Sequence, residues 1–146
     1  MLFRSVRKGT ELSTLAAAKQ AQWGVQTGTT AIDLLDTIKP SKKPRVYQQL
    51  PDGFTALEAG QIDAFLVDTA IVLGQAARSN GRLTVVSQFE QPGGPDQYGA
   101  IIPKDSENAP AINAVFQQLG DSGELATLAQ QDLSGDPKSL PVIAVK

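Results

Sequence analysis

The sequence has no cysteine and no histidine among its 146 residues. These absences exclude thiol catalysis, histidine acid–base chemistry, disulfide bonds and the usual zinc sites. No cofactor or metal is therefore expected. Aromatic residues make up only 5% of the chain, while 41% of it is hydrophobic, which predicts a core packed from aliphatic side chains.

The sequence also lacks long runs of like charge and long runs of apolar residues. The formal net charge is −2 with no long block of like charge, so the composition gives no indication of nucleic acid or an anionic membrane as a partner. No stretch of eighteen apolar residues is present, which predicts no membrane span. Arg4, Arg7 and Lys8 near the start lack an apolar segment behind them, so no signal peptide is expected in this chain.

Apolar strands and amphipathic helices alternate along most of the chain. This rhythm is typical of a parallel sheet with right-handed crossovers, so we predict an α/β protein with a mainly parallel sheet flanked by helices. Residues 1–22 are expected to begin irregularly, with a short helix start near 10–15. The predicted strands lie near 23–26, 45–50, 62–67, 83–86 and 98–103, and the predicted helices near 30–38, 54–59, 69–80, 109–119 and 125–133.

A glycine–threonine turn after the first predicted strand is the most informative local feature. Gly28 allows a sharp turn, and Thr30 with Asp33 forms a T-x-x-D pattern that predicts a capping box at a helix start. Free N–H groups in the first turn of such a helix form a site for carboxylate or phosphate. A plain strand–turn–helix with a good N-cap explains the same residues, and both readings stay open here.

Asp68 follows the apolar run 62–67 and supplies the opposite chemistry. Ligands of open parallel sheets bind beyond the carboxyl ends of strands, which is where both Asp68 and residues 26–30 are predicted to lie. N–H groups and threonine hydroxyls accept a carboxylate, whereas Asp68 can hold an ammonium, so the two match the ends of an α-amino acid. Asp68 is equally explained as the N-cap of the helix that follows, and the two roles are compatible.

Four segments in order resemble the polar amino-acid-binding proteins of ABC importers, solute-binding protein family 3. Residues 24–31 (GVQTGTTA) resemble the start of the second lobe in that family, and residues 57–68 resemble its L-x-x-G-x-x-D-A-x-x-x-D segment. Residues 98–104 (YGAIIPK) resemble the strand that returns through the hinge, and residues 113–126 resemble the C-terminal helix pair. The resemblance extends from about Thr10 to Leu133.

The resemblance implies a clamshell of two α/β lobes that binds its solute between them without chemical change. It implies that Thr30, Gln26 and Thr29 contact the ligand carboxylate, that Asp68 takes the α-ammonium, and that Tyr98 near the hinge touches the ligand or a lobe. It also implies a membrane permease as partner and a periplasmic or extracytoplasmic location for the full-length parent, for which a lipid anchor is compatible.

The chain departs from the family pattern at its start. Nothing before Gln22 is long enough for a first lobe, and the family's carboxylate-clamping arginine is not assigned to Arg4 or Arg7. We therefore expect a fragment with weak or no ligand binding of its own. We assign 1–21 to a partial leader and hinge approach, 22–97 to the second lobe, 98–133 to the hinge return strand with the C-terminal helices, and 134–146 to an extended tail.

Without a first lobe, the C-terminal helices are expected to expose apolar residues and to risk a non-native dimer. The candidates are Val115, Phe116, Leu119 and Leu128.

Two alternatives to transport remain. The same fold serves in cyclohexadienyl dehydratase-like enzymes, for which Glu58 and Asp63 are the available acids or bases, and in sensor or effector domains. The favoured interpretation is that the protein is not an enzyme.

Overall fold

A computed structural model describes residues 2–7, 12–90, 99–132 and 140–145. Helices and strands alternate as the sequence pattern predicts. The elements are β1 (Leu2–Arg7), α1 (Leu15–Gln20), β2 (Trp23–Gln26), α2 (Ala31–Ile38), β3 (Arg45–Tyr47), α3 (Leu50–Glu58), β4 (Ala64–Asp68), α4 (Thr69–Arg78), β5 (Leu83–Phe89), α5 (Ala109–Asp121), α6 (Glu124–Asp132) and β6 (Val142–Ile143).

The six strands form one sheet in the order β3-β2-β4-β1-β5-β6. Strand β2 pairs parallel with β3 and β4, and β5 pairs parallel with β6. Strand β1 runs antiparallel to both of its neighbours, β4 and β5. All strands except β1 therefore point the same way, which confirms the predicted α/β class with a mainly parallel sheet.

Strand β1 corrects the expectation of an irregular start. It lies inside the sheet, with Leu2 opposite Asp68 and Val6 opposite Ala64 on β4. Both of its partners lie more than fifty residues further along the chain, so local sequence carries little of the information that fixes this strand. The short helix α1 does follow, and the Thr14 hydroxyl accepts from the Ala17 N–H at 3.2 Å as its N-cap.

Both faces of the sheet are covered. Residues of β4 alternate between two buried clusters: Ala64 and Leu66 pack beneath α1 and α2, while Phe65 and Val67 pack beneath α3 and α4. This confirms the prediction that the apolar run is a strand covered on both sides. The largest fully buried side chains are Trp23, Phe65, Phe89, Leu35, Ile38, Leu57, Ile62 and Leu66.

Two predicted strands differ from the structure. Residues 99–103 are not a strand, and the Ile101 side chain is fully exposed, so the apolar pattern there has no neighbouring strand among the described residues. Strand β3 ends at Tyr47 instead of Leu50, because α3 begins at Leu50 with Pro51 in its first turn, where proline costs no hydrogen bond.

The α5–α6 hairpin exposes apolar side chains, as expected. Val115 is 54% exposed, Phe116 46% and Leu128 40%, while Leu119 is half-buried, and no residue of α5 is fully buried. The tail returns to the sheet as β6, where Ile143 is buried against the β2 and α2 cluster. No helix within the described ranges combines the length and apolar character that a membrane crossing requires.

Candidate functional site

The turn after β2 is held in place by its own backbone. Gly28 has φ of +71°, a left-handed conformation that favours glycine, and an added Cβ would meet nothing within 4 Å. The Thr27 N–H donates to the Tyr47 carbonyl at 2.9 Å, and the Thr29 hydroxyl donates to the Gln26 carbonyl at 2.8 Å. The turn is therefore anchored both to β3 and to its own strand.

The predicted capping box is wrong. Thr30 occupies the N-cap position of α2, but its backbone is helical (φ −64°, ψ −12°) and its side chain makes no capping hydrogen bond. A capping hydroxyl requires an extended backbone at that position. The Thr30 side chain is exposed and is therefore open to other contacts.

Unused N–H groups lie in this turn and at the start of α2. Within the described part of the chain, no hydrogen bond accepts from the backbone N–H of residues 28–31, whereas Ile32 and Leu34 donate to Thr29 and Thr30. The first turn of a helix carries partial positive charge on such groups. The arrangement suits a carboxylate.

Asp68 ends β4 and is exposed. It takes the N-cap position of α4 with an extended backbone, yet its carboxylate makes no capping hydrogen bond. No ion pair joins it to any residue that the structure describes. The role of side-chain cap considered for Asp68 is therefore not realised, and the carboxylate stays open to solvent.

The fold brings the two features to one edge of the sheet. Strands β2 and β4 are parallel neighbours, with Val25 opposite Leu66, so Gln26–Thr30 and Asp68 follow adjacent strands at the same end. Adjacent strands lie about 4.7–4.9 Å apart. A hydrogen-bond donor turn and a free carboxylate thus stand side by side, as the strand-end argument predicts.

Gln26 and Tyr98 complete the set of predicted ligand-binding residues. The Gln26 side chain donates to the Gln48 carbonyl at 3.4 Å and is half-buried, so it already has a partner. Tyr98 lies outside the described residues.

The sequence pattern gave Tyr47 no role at the site, although it ends β3 next to Gln26 and its carbonyl anchors the turn. Its position at a strand's carboxyl end was the available signal.

The carboxylates considered for acid–base chemistry lie elsewhere. Glu58 ends α3 and pairs with Arg82 at 3.4 Å, and Asp63 precedes β4 and accepts from the Gln22 N–H at 2.8 Å. Both therefore sit at the end of the sheet opposite Asp68. Across the described ranges, no group of three or more acidic side chains could hold a metal ion.

Comparisons with known proteins indicate the class of protein to which this chain is related. No family model matches the chain. It is 30% identical to the glutamate-binding protein GluB of Corynebacterium efficiens over 114 residues, which cover 75% of this chain and 38% of that protein. It is 32% identical to the arginine-binding protein ArgT of Corynebacterium glutamicum over 85 residues, which cover 58% of this chain and 27% of that protein.

A solved structure extends the comparison to the fold. An amino acid ABC transporter substrate-binding protein from Streptococcus pneumoniae Canada MDR_19A, bound to L-arginine, superimposes with a TM-score of 0.75. The match has 22% identity and covers 91% of this chain and 56% of that one.

The chain is therefore homologous to amino-acid-binding proteins and shares the periplasmic-binding-protein-like fold of ABC transporter substrate-binding proteins. It spans less than two fifths of the length of the curated relatives it matches.

Proposed function

We propose that this chain supplies one wall of an amino-acid-binding site in the substrate-binding component of an ABC importer for polar amino acids. The observation that carries the proposal is the juxtaposition of the unpaired N–H groups of residues 28–31 with the free carboxylate of Asp68. The homology to glutamate- and arginine-binding proteins supports it.

Each group has a defined part in binding. The N–H groups and the Thr30 hydroxyl hold the ligand carboxylate, with Thr29 fixing the turn through its bond to the Gln26 carbonyl. Asp68 accepts from the α-ammonium. Hydrogen bonds to charged groups contribute about 1.5–3 kcal/mol each, and because the entropy lost on association offsets much of this gain, the single wall is expected to bind weakly. Tyr98 remains a proposed contact near the hinge.

Transport in this scheme is binding followed by release, without chemistry. Ligand contacts to both walls of a two-lobed cleft favour its closed state, and a membrane permease receives the closed form. An extracytoplasmic location goes with this role. Glu58 and Asp63, the two carboxylates considered for acid–base chemistry, lie at the far end of the sheet, so neither reaches a ligand at Asp68.

Backbone-amide NMR of the 15N-labelled chain tests the proposal. Titration with L-arginine, L-glutamine and L-glutamate to millimolar concentrations is expected to shift the amides of Gly28, Thr30 and Asp68 at fast exchange. The N-acetylated amide of the same amino acid lacks both charged ends and is expected to shift none of them.

Two matched variants sharpen this test. Asp68→Asn removes the ammonium acceptor and is expected to weaken binding about tenfold, which corresponds to roughly 1.4 kcal/mol. Asp52→Asn removes an equally exposed carboxylate from the first turn of α3 and is expected to leave the affinity unchanged. Equal losses in both variants, or shifts spread away from the turn, would contradict the assignment.

A further inference from the structure

The net charge of −2 conceals a strong separation of charge within residues 12–90. Every lysine and arginine in this range lies at the amino end of the parallel strands, opposite the proposed amino-acid site. These cations lie at the ends of helices α1, α2 and α4, before strands β3 and β5, or at the first residue of β3: Lys19, Lys39, Lys42, Lys43, Arg45, Arg78 and Arg82.

The acidic residues are distributed in the reverse sense. Asp33, Asp52, Asp68 and Glu90 lie at the carboxyl end of the strands. Of the other acids in this range, Glu58 pairs with Arg82 at 3.4 Å, the Asp63 carboxylate lies 4.0 Å from Lys42, and Asp36 is exposed in the second half of α2. The α/β layer therefore carries an electric dipole along its strands.

Helix dipoles explain only part of this separation. Cations at helix C-termini are stabilised there, which accounts for Lys19, Lys39 and Arg78. Lys42 and Lys43 lie in the loop between α2 and β3 and gain nothing from a helix end. Helix ends therefore do not account for these two lysines.

The loop that carries them is held rigidly. We call residues 39–45 (KPSKKPR) the basic loop. The Ser41 N–H donates to the Lys19 carbonyl at 2.7 Å, and the Gln22 side chain donates to the Lys43 carbonyl at 2.9 Å. Two prolines restrict the backbone further. Lys39, Lys42, Lys43 and Arg45 are all exposed on this fixed frame.

We propose that the basic loop, with neighbouring Lys19, docks this protein on an anionic lipid bilayer. The five cations, of which Lys42 also lies 4.0 Å from the Asp63 carboxylate, match in number the Lys/Arg clusters that bind anionic headgroups. The dipole orients the molecule, since the acidic end is repelled by the same surface. Docking in this way leaves the edge with Asp68 and the turn at Gly28 facing away from the bilayer. The proposal does not depend on amino-acid binding.

The composition of the loop favours a bilayer over a protein or a single-stranded nucleic acid. Protein interfaces are depleted in lysine and are anchored by buried aromatic residues, and the basic loop contains none. Single-stranded nucleic acid is bound by stacking on aromatic side chains, which are also missing there. Strongly hydrated lysine ammonium groups suit a diffuse layer of headgroups.

Sedimentation with sucrose-loaded vesicles tests the proposal on the full chain. We expect binding to vesicles containing phosphatidylglycerol and none to pure phosphatidylcholine at about 0.1 M salt, where the screening length is about 10 Å. Binding is expected to fall steeply as salt is raised. Equal binding to neutral vesicles would overturn the proposal.

A pair of variants with the same net charge separates the loop from total charge. Lys42→Gln with Lys43→Gln removes two positive charges from the loop and is expected to lower the partition coefficient about tenfold or more. Gln117→Glu with Gln118→Glu lowers net charge equally at exposed positions of α5 and is expected to change it less than about twofold. Equal losses in both pairs would refute a role for the loop.

The lack of cysteine makes orientation measurable. A polarity-sensitive dye on Ser41→Cys, in the loop, is expected to report the bilayer, whereas the same dye on Gln48→Cys, beyond the other end of β3, is not. A response at both positions overturns the orientation. Failure to bind vesicles combined with loop-dependent binding to duplex DNA or to an acidic protein assigns the surface to that class instead.

Discussion

The α/β layer and the α5–α6 hairpin use similar amphipathic helices with opposite results. In the layer, α2 buries Leu34, Leu35 and Ile38, and α3 buries Phe54 and Leu57. In the hairpin, α5 is longer than either of them and buries no residue fully. An apolar stripe therefore predicts that a helix needs a partner surface, but the stripe does not supply the surface.

Burial decides how much each region contributes to stability. Burying a large apolar side chain contributes about 1.5–3 kcal/mol, and this gain is realised in the layer but largely forgone in the hairpin. The hairpin's main packing is between its own two helices. We therefore expect the free energy of unfolding to depend on the layer, whereas the hairpin governs association.

Matched substitutions of two phenylalanines test this contrast most strongly. Phe65→Ala empties the centre of the second cluster, where the ring contacts Tyr47 and Phe54 edge-on, and is expected to cost about 3–5 kcal/mol. Phe116→Ala, at a side chain that is 46% exposed, is expected to cost about 1 kcal/mol or less. Urea denaturation followed by Trp23 fluorescence measures both.

An equal cost at the two positions would break the comparison. It would mean that Phe116 is buried in solution by a surface that the described residues do not provide.

Added volume gives a second, smaller contrast. A Cβ on Gly24 would lie 2.4 Å from Ile62 Cδ1 and 3.0 Å from the Phe65 ring, so Gly24→Ala is expected to cost about 1–3 kcal/mol. Gly99→Ala is the control, because a Cβ there meets nothing within 4 Å and a cost near zero is expected. Thermal unfolding by circular dichroism ranks the two, and a stable Gly24→Ala protein would show that the layer is looser than described.

Self-association tests the role of the exposed apolar residues in the α5–α6 hairpin. Phe116→Ser with Leu128→Ser removes two exposed apolar groups from α5 and α6 and is expected to weaken any concentration-dependent association about tenfold. Sedimentation velocity across a range of concentrations measures it. Val142→Ser serves as the control, because Val142 is even more exposed, at 58%, but lies on the edge strand β6. If association were unchanged in the double variant, these hairpin residues would not mediate it.

The elements that sequence predicted are those with local signals. Strand β4 is a continuous apolar run, and helices α2 and α4 show their apolar periodicity within ten residues or fewer. Strand β1 was missed because its pairing with β4 and β5 is set by residues far along the chain. Residues 99–103 show the converse, since a strand-like pattern without a neighbouring strand stays unpaired.

The candidate site likewise has features that the sequence predicts and features that it does not. The meeting of the Gly28 turn with Asp68 was predictable, because parallel strands bring their carboxyl ends to one edge. The absence of a capping hydrogen bond from the Thr30 hydroxyl was not predictable, because capping depends on a backbone angle that the T-x-x-D pattern does not encode. The charge separation was invisible in the net charge and required the direction of every strand.

Helix caps provide the finest test of where the layer gets its stability. Thr14 makes a capping bond to the Ala17 N–H, so Thr14→Ala is expected to cost about 1 kcal/mol. Thr30 makes none, so Thr30→Ala is expected to cost less than about 0.5 kcal/mol, even though its sequence pattern is the better capping signal. Chemical denaturation of the two single variants measures the difference. A larger loss at Thr30 would mean that its hydroxyl caps α2 in solution, and the free hydroxyl assigned to the amino-acid site would then be lost with it.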